Sequence, residues 1–263
     1  MHRIMPRLAA NLTMLFTEYP LLERFDRAAA AGFKGVEVLF PYTETQDAIL
    51  KALGDNGLEL VLMNLPAGDW ASGDRGLAAQ PSRRDEFARG LKQAVTYASA
   101  LQPPRINCLA GKLGNEPNAR ETLAANVELA AEALEQLGVQ LTLEPVNDLD
   151  VPGFALPTTQ SALDLIASSE SSNIGLQYDI YHALRKDEDP FAFIQEHGSE
   201  IAHIQVADVP GRHQPGTGTV DFEALFSLID DSGYPGWVSL EYIPEGPTEE
   251  GFGLIRELGL LTL

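Results

Sequence analysis

Glu144, Asp179, Gln205 and Glu241 each stand at or near the end of a short run of alternating apolar and polar residues. Successive members lie about 30 residues apart, the length of one strand-helix unit. In VQLTLE (139–144), Val139, Leu141 and Leu143 share one face, and Gln140, Thr142 and Glu144 the other. In IGLQYD (174–179), Ile174, Leu176 and Tyr178 oppose Gly175, Gln177 and Asp179. In IAHIQVA (201–207), Ala202, Ile204 and Val206 oppose His203 and Gln205, and in VSLEY (238–242), Val238 and Leu240 oppose Ser239 and Glu241. The polar face of four consecutive runs therefore carries one oxygen donor each.

Three carboxylates gathered in one cavity repel one another, and burying them unpaired costs several kcal/mol or more, so a divalent cation is the economical partner. Two Glu, one Asp and one Gln are hard oxygen donors, which suit Mg2+ or Mn2+ better than Zn2+, an ion that favours His and Cys. The competing reading is that each acid caps the following helix or pairs with a nearby base. LQYDIYH (176–182) poses that choice most directly, because Asp179 sits where a strand gives way to a helix. Four donors of one parity favour a ligand over a cap at Asp179.

Such donors meet only if the chain brings successive strand ends together. Eight β-rich runs recur: residues 8–12, 35–40, 58–64, 105–110, 139–144, 173–179, 201–208 and 237–242. Between them lie stretches of helical period, such as PLLERFDRAAAAG and ARETLAANVELAAEALEQLG, several of which end in glycine. Eight strand-helix units in about 250 residues predict a single-domain α/β chain, a (β/α)8 TIM barrel spanning residues 1–263, with catalytic groups at the C-terminal ends of the strands. A doubly wound open sheet is disfavoured because no G-x-G-x-x-G follows the first strand. MPRLAANLTMLF is read as that first strand and not as a signal peptide, with residues before Met5 dispensable.

Eighteen basic against 38 acidic side chains give a formal charge of -20, which repels nucleic acid and anionic membrane and obliges any small anionic substrate to find a local cluster of cations. No apolar stretch approaches the about 20 residues of a membrane-spanning helix. One cysteine, Cys108, excludes an intramolecular disulfide framework and a cysteine-rich zinc site, and fits a reducing cytoplasm.

With these residues placed, the chain resembles the xylose isomerase-like barrels, and among them the hydroxypyruvate isomerase family. The resemblance runs nearly end to end through ANLTMLFTEYP, GFKGVEVLFPY, NLPAGDWASGDRG, INCLAGK, LEPVN, LQYDIYH, AHIQVAD, QPGTGTVDF and GWVSLEY. It implies a divalent metal held by Glu144, Asp179, Gln205 and Glu241, with Glu144 and Glu241 as the proton donor and acceptor pair. It also implies interconversion of hydroxypyruvate and 2-hydroxy-3-oxopropanoate (tartronate semialdehyde) through an enediolate. Near relatives in the resemblance isomerise 2-oxo-tetronates or epimerise ketoses at C3. His182, just beyond the Asp179 strand, is expected to contact a substrate oxygen, as a histidine does in related barrels.

A small 2-oxo acid needs cations for its carboxylate. Arg75, Lys112 and Arg212 all fall in loops at the catalytic end, Arg75 and Lys112 in the most family-specific ones. His203, deeper on the inward face, is expected to orient ligands or fill core. Glu37 shares the inward parity, is placed on the opposite half of the barrel from the ligands, and is read as a buried ion-paired or hydrogen-bonded acid. Trp70 is expected to help exclude water, whereas His2, His197 and His213 fall on no pattern. A metal-dependent endonuclease on the same barrel is disfavoured by five histidines in total and the charge of -20; a noncatalytic binding barrel would lose one of the paired glutamates. Closed barrels often form homo-oligomers, and a homo-oligomer is among the expectations for this chain.

Overall fold

Parallel strands buried on both faces need covering on both, and a closed ring of strands wrapped by helices provides this. The computed structural model, which describes residues 6–261, has that form: a closed barrel in the order β1-β2-β3-β4-β5-β6-β7-β8. The strands are β1 (Arg7–Asn11), β2 (Gly35–Glu37), β3 (Glu59–Asn64), β4 (Arg105–Asn107), β5 (Gln140–Leu143), β6 (Ile174–Asp179), β7 (His203–Val206) and β8 (Trp237–Leu240). His2, the residues before Met5 and both ends of the expected 1–263 domain lie outside the described residues.

The helices are α1 (Leu21–Ala31), α2 (Gln46–Asn56), α3 (Arg84–Leu101), α4 (Ala119–Glu135), α5 (Thr159–Ser168), α6 (Ile180–Arg185), α7 (Pro190–His197), α8 (Phe222–Asp231) and α9 (Gly253–Glu257). Local chemistry sets several of their ends. Thr45 accepts from Ala48 N at the start of α2, and Thr158 and Ser161 form a reciprocal capping box at α5.

Every expected strand is present, but β2 and β4 stop three residues before the sequence suggests. The residues that follow lead to the rim of the barrel, with Val38 N still donating to Leu62 O at 3.2 Å and Cys108 N to Thr142 O at 2.9 Å. Glu144 and Glu241 stand one residue beyond β5 and β8 and are aimed by them, and Glu241 N still donates to Val206 O at 3.1 Å.

The outward-facing Leu141, Leu143, Leu176, Tyr178, Ile204, Val206, Val238 and Leu240 join the main apolar core under the helices. Inside the barrel, toward the strand N-termini, Ala9, Val61, Leu62 and Trp237 form a separate apolar plug. Gly35 makes room for it, since a Cβ there would lie 2.8 Å from an indole carbon of Trp237. Farther along, the interior turns polar: Asn11, Glu37, Asn107, Thr142, Gln177, His203, Gln205 and Ser239 are all fully buried. Most of these buried polar groups pair with one another, as their register allows, while Asn107 Oδ1, His203 Nδ1 and Ser239 Oγ have no partner among the described residues. Asn11 lies opposite Glu37, Asn107 opposite Thr142, and Asp179 opposite Gln205.

Candidate active site

The four oxygen donors emerge on consecutive strands at one end of the barrel, as the alternation predicts. Glu144 and Glu241 retain only 5% exposure and Asp179 2%, so these are carboxyl groups largely withdrawn from water. Glu144 Oε2 accepts from Asn107 Nδ2 at 2.8 Å and from Gln177 Nε2 at 3.3 Å. Asp179 divides its work. Its Oδ1 accepts from Tyr181 N at 2.8 Å and caps α6, while Oδ2 faces the cluster. The two readings of Asp179 are therefore compatible, one per oxygen.

Arg212 enters the cluster from the loop after β7. Its Nη2 donates to Glu241 Oε1 at 2.7 Å and to Asp179 Oδ2 at 3.3 Å, and its guanidinium lies 5.0 Å from the Tyr181 ring centroid. Arg75 and Lys112 are placed differently. Arg75 lies over the Trp70 ring at 3.9 Å and donates to the carbonyls of Trp70 and Asp74, and Lys112 Nζ donates to Gly73 O at 3.0 Å. Both brace the loop after β3 and make no contact with the acids among the described residues. Trp70, 47% exposed, packs against Phe40 at that rim.

His182 Nε2 lies 3.6 Å from Asp179 Oδ2 and 3.9 Å from Glu144 Oε1. Its other nitrogen meets Asn147 Nδ2 at 2.6 Å. The Asn147 amide is oriented by Asp150, whose N donates to Asn147 Oδ1 at 2.8 Å and whose Oδ2 accepts from Nδ2 at 3.0 Å. An N–H thus points at His182 Nδ1, which must accept, leaving the proton on Nε2 toward the acids. Burial, with Arg212 and Arg185 nearby, holds this imidazole well below its ordinary range and therefore neutral. His182 is consequently built as a hydrogen-bond donor to an oxygen in the site.

One arginine does not neutralise three acids. Burial pushes the Glu144 carboxyl up to about 8, with Asp179 adding to the rise and Arg212 opposing it. Burial lifts Asp179 to about 6 against the pull of Arg212, and lifts Glu241 well above the carboxylate range. Ligand atoms of Glu144, Asp179 and His182 all lie within 4.8 Å of one another. Buried, crowded, electron-rich oxygens short of positive charge fit a hard divalent cation.

A family model described as xylose isomerase-like TIM barrel matches residues 25–258. The hydroxypyruvate isomerase of Escherichia coli (strain K12) is 44% identical over 250 residues, 94% of this chain and 97% of that relative. The chain belongs to the hydroxypyruvate isomerase family of xylose isomerase-like TIM barrels. A 2-oxo-tetronate isomerase of Cupriavidus necator is 37% identical over 255 residues, 96% of this chain and 98% of that protein. A solved structure described as an AP endonuclease, family 2, from Brucella melitensis superposes with a TM-score of 0.92 at 40% identity, covering 96% of this chain and 99% of that one.

For this member of the hydroxypyruvate isomerase family, the polar layer beneath the acids is what sequence reasoning did not assign. Glu37 is a buried, hydrogen-bonded acid as expected, with His203 Nε2 against its Oε1, but it is not remote from the donors. Its Oε2 accepts from Gln205 Nε2 at 3.0 Å, which joins β2 to β7 across the barrel interior. Asn107, Asn147 and Gln177 also went unassigned. Asn107 and Gln177 carry the parity that found Glu144, so a polar residue at an inward position was the available signal. Asn147 lies in LEPVN beyond the strand, where parity ceases to apply.

Proposed function

We propose that this chain interconverts hydroxypyruvate and 2-hydroxy-3-oxopropanoate, with Glu144 and Glu241 as the proton-transfer pair. The observation that carries the reading is the placement of those two buried carboxyls just past the ends of β5 and β8, with Asp179 and Gln205 on the strands between and a neutral His182 donor beside them. The 44% identity to a hydroxypyruvate isomerase over 94% of the chain supports the substrate.

Glu144, Asp179, Gln205 and Glu241 would hold a divalent cation, Mg2+ or Mn2+ by donor chemistry. When bound, the cation supplies Lewis-acid stabilisation of the charge that develops on the two substrate oxygens. One glutamate removes a proton from C3 of hydroxypyruvate, the electron pair moves to form the C2–C3 double bond, and the C2 carbonyl oxygen becomes the enediolate oxygen. Protonation at C2 by the other glutamate, with transfer of the hydroxyl proton from O3 to O2, leaves the aldehyde at C3; the first glutamate then releases its proton to solvent and the second takes one up, which restores the pair. His182 Nε2–H donates to a substrate oxygen while charge accumulates there. Arg212 already holds Glu241 and Asp179, and its fork can also grip the substrate carboxylate. Arg75 and Lys112 bind substrate through the loop they brace.

A 2-oxo-tetronate is the second reading, favoured by the 37% identity to an isomerase of that substrate over 96% of the chain. Nucleic acid is disfavoured by the charge of -20. Among the described residues no helix is long and apolar enough to cross a membrane. A cytoplasmic site of action is consistent with the single, buried Cys108.

Proton NMR of the protein with hydroxypyruvate in D2O, with Mg2+ or Mn2+ and then with EDTA, tests the reading. The expected result is metal-dependent appearance of tartronate semialdehyde with deuterium incorporated at carbon. Bound metal without exchange would overturn hydroxypyruvate as substrate, and turnover of a 2-oxo-tetronate in its place would establish the second reading.

A further inference from the structure

Two buried amide oxygens on β3 and β4 stand without a donor. Met63 and Ile106 pair in register and join the core under the helices, so the next pair along, Asn64 and Asn107, faces the barrel interior. Both residues are buried, and neither Asn64 Oδ1 nor Asn107 Oδ1 has a hydrogen-bond partner among the described residues. The Asn107 amide cannot be turned over to mend this, because its Nδ2 donates to Glu144 Oε2 at 2.8 Å. A buried acceptor left in that condition costs the chain the hydration it has given up, so each calls for an explanation.

The neighbouring hydrogens are committed elsewhere. Asn64 N donates to Leu39 O at 2.9 Å, Leu65 N to Asn107 O at 2.8 Å and Cys108 N to Thr142 O at 2.9 Å. Tyr42 Oη donates to Asn64 O, Thr142 Oγ1 donates to Gln177 Oε1 at 3.0 Å, and Gln177 Nε2 serves Glu144 Oε2 and Gln205 Oε1. The other unpartnered atoms of the interior, His203 Nδ1 and Ser239 Oγ, can either donate or accept, whereas a carboxamide oxygen can only accept. What completes Asn64 and Asn107 must therefore bring hydrogen. Two neutral oxygens are too few for a divalent cation, which takes about six. Asn107 also touches Glu144, the group that moves a proton at a substrate carbon, so a donor arriving there is one that the substrate carries.

We propose that Asn64 and Asn107 form a hydroxyl-accepting subsite: their carboxamide oxygens take the hydrogen of a hydroxyl group on the substrate, and so select a small acid hydroxylated at C3 over one that is not. The proposal rests on the reading that a small 2-oxo acid is isomerised here. Hydroxypyruvate and a 2-oxo-tetronate both carry that hydroxyl, and pyruvate does not. An acid without it would leave the two buried oxygens unpaired in the complex as well, which is how such a site rejects a smaller analogue that would otherwise fit.

The test is calorimetric titration, in Mn2+, of the unaltered chain and of the Asn107→Leu and Asn64→Leu variants with D-glycerate and with D-lactate, two unreactive acids that differ only in the C3 hydroxyl. Folding is checked by circular dichroism. The unaltered chain should bind D-glycerate about 10- to 100-fold more tightly than D-lactate, and each variant should bring that ratio toward one. Asn107→Leu also removes the N–H that holds Glu144, which acts on both acids alike, so the ratio and not the affinity is the readout. Equal affinities in the unaltered chain, or a ratio unchanged in both variants, would overturn the subsite while leaving the isomerase reading intact. A ratio moved by Asn107→Leu alone would remove Asn64 from it. No binding of D-glycerate by the unaltered chain would also overturn the subsite, and if neither hydroxypyruvate nor a 2-oxo-tetronate is turned over, the isomerase reading falls with it. If Asn107→Leu does not fold, Asn64→Leu carries the test.

Discussion

At the scale of single residues, the site depends on which atom of each side chain carries a proton. His182 is a donor at Nε2 because Asn147 donates to Nδ1, and Asn147 does so because Asp150 holds its amide. Replacing His182 by Leu removes the donor and should lower kcat by about 10²- to 10³-fold, the range for losing one group that stabilises developing oxyanion charge. His182→Gln, which keeps an N–H, should lose less. Steady-state kinetics decides, and equal losses in both variants would remove the donor role. The two glutamates give a prediction that separates chemistry from folding. Glu144→Gln and Glu241→Gln should each abolish turnover while keeping the fold, and near-normal activity in either would take that residue out of the mechanism. A Glu144 carboxyl raised to about 8 from an ordinary 4.5 binds a proton more tightly in the folded chain than in the unfolded one. Its contribution to stability is therefore present below the ordinary value and is lost as pH rises toward 8. In EDTA, Tm should fall across that window, and Glu144→Gln should flatten the fall and raise Tm near pH 8; a pH profile of Tm unchanged by the substitution would refute this.

At the scale of elements, the loop after β7 explains how Arg212 reaches the acids. Asp208, buried at the end of this strand, accepts from the backbone N–H groups of Val209, Gly216, Gly218 and Val220 at 2.8 to 3.1 Å. That carboxylate folds the QPGTGT stretch back on the strand, and a Cβ at Gly218 would lie 1.9 Å from Val209 O. Arg212 sits in the loop so formed, in a left-handed conformation. Asp208→Asn places an N–H2 among backbone donors, which should destabilise the chain by about 1–3 kcal/mol and, by loosening Arg212, raise KM more than it lowers kcat. Unchanged KM would separate the loop clamp from substrate binding. The same loop shows where reading the sequence stops. Alternation placed Glu144, Asp179, Gln205 and Glu241 because a strand has period two and its last inward residue must face the mouth of the barrel. Nothing comparable ranks Arg75, Lys112 and Arg212, since the reach of a loop cation depends on hydrogen bonds such as those of Asp208. Glu37 was legible as inward and buried. Its bond to Gln205 was not, because it crosses the barrel between strands distant in sequence.

At the scale of the whole molecule, two electrostatic loads act together: a diffuse excess of negative charge, -20 over the chain, and a concentrated one at the strand ends. They respond to different cations, which makes them separable. Diffuse repulsion is screened by any salt, because the Debye length falls to about 10 Å at 0.1 M. The buried cluster is reached by little of that screening, and its relief requires an ion that the oxygens can coordinate. Sodium chloride at fixed pH should therefore raise Tm of the unaltered chain and of Glu241→Gln alike. Mn2+ at 100 times its Kd should add about 2.7 kcal/mol to the unaltered chain by mass action, a rise in Tm of about 5–10 °C for a chain of this size. Glu241→Gln should lose most of that increment and keep the response to salt. Differential scanning calorimetry in EDTA, in salt and in Mn2+ reads both terms on one instrument. An equal Mn2+ increment in the variant would mean that the ion stabilises the chain through its acidic surface and not through the strand-end cluster.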